Sequence, residues 1–251
     1  MELQLTATHD EEWERDGYTI VRNAFSTAEC DEFVDYMLAL QAGHLTVEGY
    51  RPRGADDWER LVVRNCHNLM SLRWMIDPRL RAPVRHLLGD EADGIQSMYL
   101  FKGSEQRRHQ DNYYLPGCIS AWVALQRVGP HNGSINIQVG SHKMPQIHKD
   151  DFLADQNGEA GQFYAMSHDD AHDLVFERNN LPEIVVEAEK GDLVFFDGRL
   201  IHRGGPIGEP GSFRHSWAGH YIPRSFDPWP YQGLPRLRVS FDGEARFTPV
   251  A

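Results

Sequence analysis

The chain lacks the features that would tie it to a membrane, to export or to a disulfide framework. Its three cysteines, Cys30, Cys66 and Cys118, are an odd number without C-x-x-C spacing, which predicts neither a disulfide framework nor a zinc site and favours a reducing cytoplasm. No apolar stretch approaches the roughly 20 residues that a membrane helix needs. Residues 1–19 are polar and acidic, without the basic start and apolar run of a secretory signal.

The charge balance excludes another class of partner. The formal net charge is −12, and no long basic stripe is present to neutralise phosphates, so we expect no nucleic-acid binding. Arginine pairs at Arg51/Arg53, at Arg60/Arg64 and at Arg107/Arg108 leave an anionic small molecule open as a ligand. A solvated surface of mixed charge is the more ordinary explanation for such pairs.

What the chain does have is enough apolar material for one core. With 251 residues and 41% hydrophobic residues, the sequence predicts a single domain and no particular oligomeric state. Ser26 and Glu29 form a capping box before a helical repeat that stops at Gly43, which predicts a helix there. Asp77 and Pro78 predict the start of a second helix that ends before Gly89 and that Pro83 kinks or restarts.

From residue 95 onward the pattern changes to short runs rich in β-branched and aromatic residues. These runs predict strands at 95–101, 118–128, 134–139, 183–187, 192–196 and 213–222, in addition to a short strand at 18–21. Helices followed by antiparallel strands indicate a mainly β fold, a jelly roll with a helical layer on one sheet. We expect the helical layer over about residues 1–94 and the core over about 95–241. Residues 143–180 are long, acidic and largely aperiodic, which predicts a lid, and residues 43–64 with Trp58 are expected to form another pocket wall.

A His-x-Asp pair and a later histidine are the strongest chemical signal. On an extended strand His109 and Asp111 point to the same face, so both are expected to aim at one ion. His202 follows the apolar run 192–196. Two imidazoles and one carboxylate bind one face of an octahedral Fe(II) and leave the opposite positions open. His-x-Asp by itself is a weak signal, so the weight comes from the rest of the pattern.

Arg214 adds the second signal. It begins a predicted strand and shares a strand face with Ser216 and Ala218, so its guanidinium is expected to point into the barrel. A buried, unpaired guanidinium is costly, which implies an anionic partner inside, and a ligand carboxylate held by both nitrogens is the obvious candidate.

At this level of detail the chain resembles the phytanoyl-CoA dioxygenase family of Fe(II)/2-oxoglutarate oxygenases. The resemblance covers roughly residues 95 to 222 and rests on the segments His109-Gln110-Asp111, Ala121-Trp122, Asn132-Gly133, Gly140-Ser141-His142, Gly191-Asp192, Ile201-His202 and Phe213-Arg214. It implies a double-stranded β-helix, a cupin-like kind of jelly roll. It also implies an enzyme that takes Fe(II), 2-oxoglutarate and dioxygen.

The resemblance assigns roles to residues. It implies that His109, Asp111 and His202 are catalytic metal ligands, that Arg214 binds the distal carboxylate of 2-oxoglutarate, and that Trp122 and Met98 contact this cosubstrate. Two family features are missing, because Gly204 stands where the family often has a small hydroxyl residue and no basic residue matches clearly, Arg60 and Arg64 being only nearby.

The implied reaction is hydroxylation of an unactivated C–H bond in a small metabolite or natural-product intermediate, with release of succinate and CO2. A carboxylate at position 111 fits this outcome, since related halogenases carry a small residue there. Desaturation, cyclisation, epimerisation and action on an acyl-CoA stay open. Polar side chains on or beside the strands are candidate substrate contacts: Gln96, Tyr113, Asn136, Gln138 and His220.

Two other classes of function compete. A cupin-like metal-dependent isomerase or lyase would use a similar barrel but usually more metal ligands, and a non-catalytic relative would have lost a ligand. Several histidines are decoys. His215 has the wrong strand parity to join Arg214, His131 lies in a turn, and the remaining ones are expected in solvent on the polar loop, namely His142, His148, His168 and His172.

Overall fold

The computed structural model describes residues 3–47, 60–63, 70–102, 106–226 and 237–247, and of 60–63 only the backbone. Most of the predicted pocket wall at 43–64, including Trp58, therefore lies outside the described residues. The same holds for Arg51, Arg53, Arg64, Cys66 and the side chain of Arg60.

Four helices precede the strand-rich part: α1 (Ala7–Asp16), α2 (Thr27–Gln41), α3 (Met70–Met75) and α4 (Pro78–Leu88). The predicted capping box is present in α2, where Ser26 accepts from the Glu29 amide and Glu29 accepts from the Ser26 amide. Helix α4 begins at the predicted Asp77 cap and ends at Gly89, and it runs through Pro83 without a restart. Helix α1 is not predicted, because only Trp13 in it is buried and the apolar period is absent.

Among the described residues, eleven strands form two antiparallel sheets. The large sheet holds β1 (Tyr18–Val21), β2 (Arg60–Val63), β3 (Ala92–Leu100), β4 (Ile119–Ala124), β7 (Leu193–Asp197), β9 (Ser216–Pro223), β10 (Leu237–Ser240) and β11 (Ala245–Phe247). Its order is β1-β7-β4-β9-β3-β10-β11, and β2 pairs with β3. The small sheet has the order β6-β5-β8, from β5 (Ile135–Gln138), β6 (Glu183–Val185) and β8 (His202–Gly204).

Alternation along the strands builds two cores. Ala121, Phe195 and Trp217 face the helical layer, where Trp74 stacks on Phe25 with ring centroids 4.4 Å apart. The neighbouring residues on each strand face the small sheet and form the second core, which includes Trp122, Val194, Phe196, Ala218, Ile135 and Ile137. The jelly roll with a helical layer is thus confirmed, and the candidate site lies at the end of the second core, between the two sheets.

The segment predicted as an aperiodic lid is more regular than expected. It contains α6 (His168–Asn179), capped by Ser167, besides short 3-10 turns at Ser141–Lys143 and Lys149–Phe152. The apolar stripe of α6 is short, so no clear period shows in the sequence. Ala171 packs with Tyr113, Ile147 and Phe163, which attaches the segment to α5 (Asp111–Tyr114).

No helix in the described part of the chain is both long and apolar enough to cross a membrane.

Candidate metal centre

The two predicted histidine ligands are held side by side by the backbone. The His109 amide donates to the His202 carbonyl and the His202 amide donates to the His109 carbonyl, both at 3.0 Å. This isolated antiparallel bridge places His109 on the edge of β8 opposite β5, and the two rings lie side by side with centroids 4.2 Å apart. The ring of Phe196 packs on His202 at 4.8 Å.

Each histidine presents the same nitrogen to the cavity. Nδ1 of His109 lies 2.9 Å from the carbonyl oxygen of Arg107, and Nδ1 of His202 lies 3.0 Å from that of Leu200. A carbonyl only accepts, so both Nδ1 atoms carry the proton and both Nε2 atoms keep a lone pair for a metal ion. The Gln106 amide donates to Nε2 of His109 at 3.0 Å.

The third predicted ligand reaches the same place by a different local structure from the expected one. Asp111 is the first residue of α5, not the next inward position of a strand. The backbone amide of Asn112 donates to the carbonyl of Gly198 at 2.7 Å, and this hydrogen bond turns the chain after His109. Oδ1 of Asp111 lies 3.6 Å from Nε2 of His109 and 3.7 Å from Nε2 of His202. One ligand atom from each of the three residues lies within 4.8 Å of the others.

The second oxygen of Asp111 faces two other polar side chains. Oδ2 accepts from the Ser120 hydroxyl at 2.7 Å and lies 3.3 Å from Nε2 of His220. Burial acts to raise the pKa of Asp111, but the surrounding imidazoles of His202, His220 and His109 outweigh it and hold the pKa well below its usual range. The carboxylate is therefore ionised, as a metal ligand must be.

The electrostatics of His202 suit the same role. Burial and the neighbouring His109 lower the pKa of His202 to about 4, against the opposing charge of Asp111. The imidazole is then neutral at physiological pH, and a neutral imidazole is the form that binds metals.

Arg214 lines the same cavity and is fully buried, but it lies two residues before β9 and not on the strand that the sequence predicts from 213. One of its terminal nitrogens donates to the carbonyl of Gly133, while its Nε has no hydrogen-bond partner among the described residues. Burial lowers the pKa of Arg214 to about 10, so the guanidinium remains charged. In the described part of the chain no carboxylate pairs with it. An anion from outside the protein would satisfy this charge.

The cavity joins the triad and Arg214 in one space. The predicted cosubstrate contacts Trp122 and Met98 line it, and Nε1 of Trp122 is buried without a partner among the described residues. Apolar side chains complete much of the wall, including Leu100, Ile135, Phe196 and Ala218, and Gly204 lies at its rim. Two imidazoles, one carboxylate, an unpaired cation and an unpaired donor fit a metal ion together with a dicarboxylate.

Some of the candidate substrate contacts line the cavity and others do not. His220 lines the cavity, where it contacts Asp111. The Tyr113 hydroxyl forms a hydrogen bond with Nε2 of His168 in α6 at 2.7 Å, and the Gln138 amide donates to the carbonyl of Phe176 at 2.8 Å. Asn136 faces Glu183, and neither it nor Gln96 is among the described residues that line the cavity. On this geometry, strand parity turns Asn136 and Gln138 away from the cavity.

Two of the decoy histidines are wrongly expected in solvent. His142 and His172 are buried, and Nδ1 of His172 lies 2.7 Å from the carbonyl of His168 in the preceding turn of α6. They are buried because the segment folds onto the barrel. His215 contacts the Tyr99 hydroxyl at 2.6 Å instead of the cavity, as its parity predicts.

Ser120 and Gln106 are site residues that the sequence reasoning missed. Ser120 had a signal, since it lies two residues before Trp122 on β4 and so shares its face. Gln106 lies outside any regular element, and no pattern indicates it.

Comparisons with known proteins agree with this geometry. The profile of the phytanoyl-CoA dioxygenase (PhyH) family matches residues 13–216. Phytanoyl-CoA dioxygenase 1 of Oryza sativa subsp. japonica is 33% identical over an alignment of 154 residues, and the alignment covers 58% of this chain and 50% of that protein. The chain spans half or less of the first curated relatives it matches, with shares of 50%, 44% and 34%.

Two solved structures share the fold. EctD from S. alaskensis with bound Fe superposes with a TM-score of 0.66 at 20% identity, over 87% of this chain and 77% of that one. The epimerase SnoN in complex with Fe3+, alpha ketoglutarate and nogalamycin RO superposes with a TM-score of 0.62 at 20% identity, over 93% of each chain.

Proposed function

Because the chain belongs to the phytanoyl-CoA dioxygenase family, we propose that it is an Fe(II)- and 2-oxoglutarate-dependent oxygenase whose metal ligands are His109, Asp111 and His202. The observation that carries the proposal is the meeting of this triad with a buried, unpaired Arg214 in one cavity. A cupin-like isomerase or lyase would have no use for the unpaired arginine, and a binding relative would have lost a ligand.

Different residues bind the metal and the cosubstrate. When bound, Fe(II) with 2-oxoglutarate and dioxygen supplies an oxidant for unactivated C–H bonds and yields succinate and CO2. Arg214 binds the distal carboxylate of the cosubstrate, and the Nε1 donor of Trp122 and the side chain of Met98 orient the rest of it. The apolar wall that contains Ile135 and Phe196 keeps water from the reacting groups.

We infer that the substrate is a small metabolite or natural-product intermediate and that the default outcome is hydroxylation. Support comes from proteins of the same fold, which include one solved with 5-hydroxyectoine and one solved with nogalamycin RO. Epimerisation or ring formation is the second candidate, because SnoN is an epimerase and the similar SnoK is a carbocyclase. We rank desaturation and action on an acyl-CoA below these two outcomes.

The proposal includes a cytoplasmic location. Cys30 and Cys118 are both buried as free thiols, which suits a reducing compartment.

The test is succinate formation from 2-oxoglutarate by the purified protein. We expect succinate only when Fe(II), dioxygen and 2-oxoglutarate are all present. His109→Ala and Asp111→Ala are expected to abolish it while the circular-dichroism spectrum stays that of the wild type. His215→Ala is the matched control, since His215 is a half-buried histidine outside the cavity. Unchanged succinate formation in the His109→Ala protein would remove the triad from the reaction.

A further inference from the structure

Two adjacent strands of the large sheet bring two polar side chains to one oxygen of Asp111. In the register of the large sheet His220 on β9 lies opposite Ser120 on β4 and opposite Gln96 on β3. Both Ser120 and His220 are almost completely buried. Residues opposite each other on one face of an antiparallel sheet have neighbouring side chains, so the sheet itself delivers the serine and the histidine together.

The two oxygens of Asp111 consequently have different surroundings. Oδ2 accepts from the Ser120 hydroxyl at 2.7 Å and faces Nε2 of His220 at 3.3 Å. Oδ1 faces the metal-binding nitrogens of His109 and His202 at 3.6 and 3.7 Å. A carboxylate oxygen only accepts hydrogen bonds. The Ser120 hydroxyl donates to Oδ2, and His220 is a second donor in the tautomer that carries the proton on Nε2, since the contact of its Nδ1 with the carbonyl of Gln96 is longer, at 3.4 Å. These contacts leave Oδ1 for the ion.

The number of oxygens that Asp111 gives to the ion matters for the reaction. Three protein donor atoms leave three positions of an octahedral ion open, whereas a carboxylate that bound through both oxygens would leave only two. A cosubstrate that binds through two atoms together with dioxygen needs all three. Whatever keeps Oδ2 away from the metal therefore keeps the site competent.

We propose that Ser120 and His220 are positioning residues that hold Asp111 as a one-oxygen ligand and so preserve the third open position. The proposal rests on the proposed function of the triad. It gives His220 a role through Asp111, in place of the substrate contact that its strand face indicated.

Simple packing is the competing explanation. A buried carboxylate needs hydrogen-bond donors in any case, and Ser120 and His220 supply them. A purely structural pair would change the stability of the protein when removed, without changing how the metal is coordinated. The test therefore measures coordination directly.

The experiment uses Co(II) as the probe, whose visible d–d absorption reports coordination number and geometry. We compare Ser120→Ala and His220→Leu with Ser120→Thr, which keeps the hydroxyl, and with His220→Gln, which keeps a donor of similar reach. Ser71→Ala and His215→Ala are controls, since Ser71 is a fully buried serine in α3 and His215 lies outside the cavity. Each protein is titrated with Co(II), then with 2-oxoglutarate.

We expect Ser120→Ala and His220→Leu to bind Co(II) about 10- to 100-fold more weakly, as is typical when a partner of a ligand is removed. We also expect an altered d–d spectrum and weaker 2-oxoglutarate binding, with both restored in Ser120→Thr and His220→Gln. Ser120→Ala removes a single oxygen, so it provides the test even if His220→Leu does not fold.

Wild-type spectra and wild-type Co(II) affinity in Ser120→Ala, with only a lower melting temperature, would overturn the positioning role. A wild-type protein that binds neither Co(II) nor 2-oxoglutarate would instead overturn the proposed function, so the two failures are distinguishable.

Discussion

Replacing Arg214 by methionine separates a ligand-binding charge from a structural one. Arg214 is buried, and its Nε has no partner within the described residues. Arg238 is also buried, but its Nε lies 3.1 Å from Asp93 and its terminal nitrogens donate to the carbonyls of Phe226 and Pro223. We expect Arg214→Met to lose 2-oxoglutarate binding at little cost in stability. We expect Arg238→Met to keep 2-oxoglutarate binding and to lose stability.

The magnitudes follow from the burial of the two guanidinium groups. Burial lowers the pKa of Arg214 from 12.5 to about 10, so holding the charge there costs about 3 kcal/mol. Its removal recovers that cost but leaves the Gly133 carbonyl without its donor, a loss of about 1–3 kcal/mol. The free energy of unfolding should therefore change by less than about 2 kcal/mol. When Arg238 is replaced, Asp93 keeps Arg224 and Arg246 as partners, but the charged hydrogen bonds to the carbonyls of Phe226 and Pro223 are lost. Arg238→Met should therefore lose about 3–6 kcal/mol.

Binding should show the opposite order. Losing the partner of a buried carboxylate costs about 3–5 kcal/mol, which weakens 2-oxoglutarate binding about 150- to 4000-fold. The assay is calorimetric titration of 2-oxoglutarate into protein loaded with Mn(II) under nitrogen, combined with urea unfolding of the metal-free protein. Near-normal 2-oxoglutarate affinity in Arg214→Met would refute the reasoning. So would a loss of stability as large as that of Arg238→Met.

Two further predictions concern the fold. Gly191 has φ +91°, and a Cβ there would clash with the carbonyl oxygen of Phe25, so Gly191→Ala should lower the free energy of unfolding by about 2–5 kcal/mol. Gly43 is the control, because it has φ +76° but open space around it, and Gly43→Ala should cost only about 1 kcal/mol. Equal losses for the two variants in urea unfolding would contradict the clash at Gly191. Burial lowers the pKa of His172 from 6.5 to about 4. Between pH 6.5 and pH 4 the unfolded chain therefore takes up a proton that the folded protein does not, and stability falls by up to about 3 kcal/mol as the pH drops through this range. His172→Gln should reduce the slope of unfolding free energy against pH, and an unchanged slope would exclude His172 as the source of this pH dependence.

Local signals explain which parts of the fold the sequence predicts. The Ser26 cap and the Asp77-Pro78 start act within one helical turn, so α2 and α4 follow from neighbouring residues. Strand alternation likewise separates Trp122 and Ala218, which face the small sheet, from Ala121 and Trp217, which face the helices. Helix α1 and helix α6 bury few residues, so no period in the sequence reveals them.

The candidate site depends on contacts between distant residues, and there the prediction is partial. His109, Asp111 and His202 converge as expected, but the strand argument for Asp111 is wrong, because the contact of Asn112 with Gly198 turns the chain into α5. The roles of Ser120 and Gln106 depend on pairings across the sheet and between loops. No spacing along the chain encodes those pairings.

The most direct test of the metal centre is an anomalous-difference map, recorded at the iron absorption edge, from a crystal grown anaerobically with Fe(II) and 2-oxoglutarate. We expect one peak bound to Nε2 of His109, Nε2 of His202 and Oδ1 of Asp111, with a carboxylate of 2-oxoglutarate against Arg214. An iron peak elsewhere, or a cosubstrate that leaves Arg214 unpaired, would contradict it.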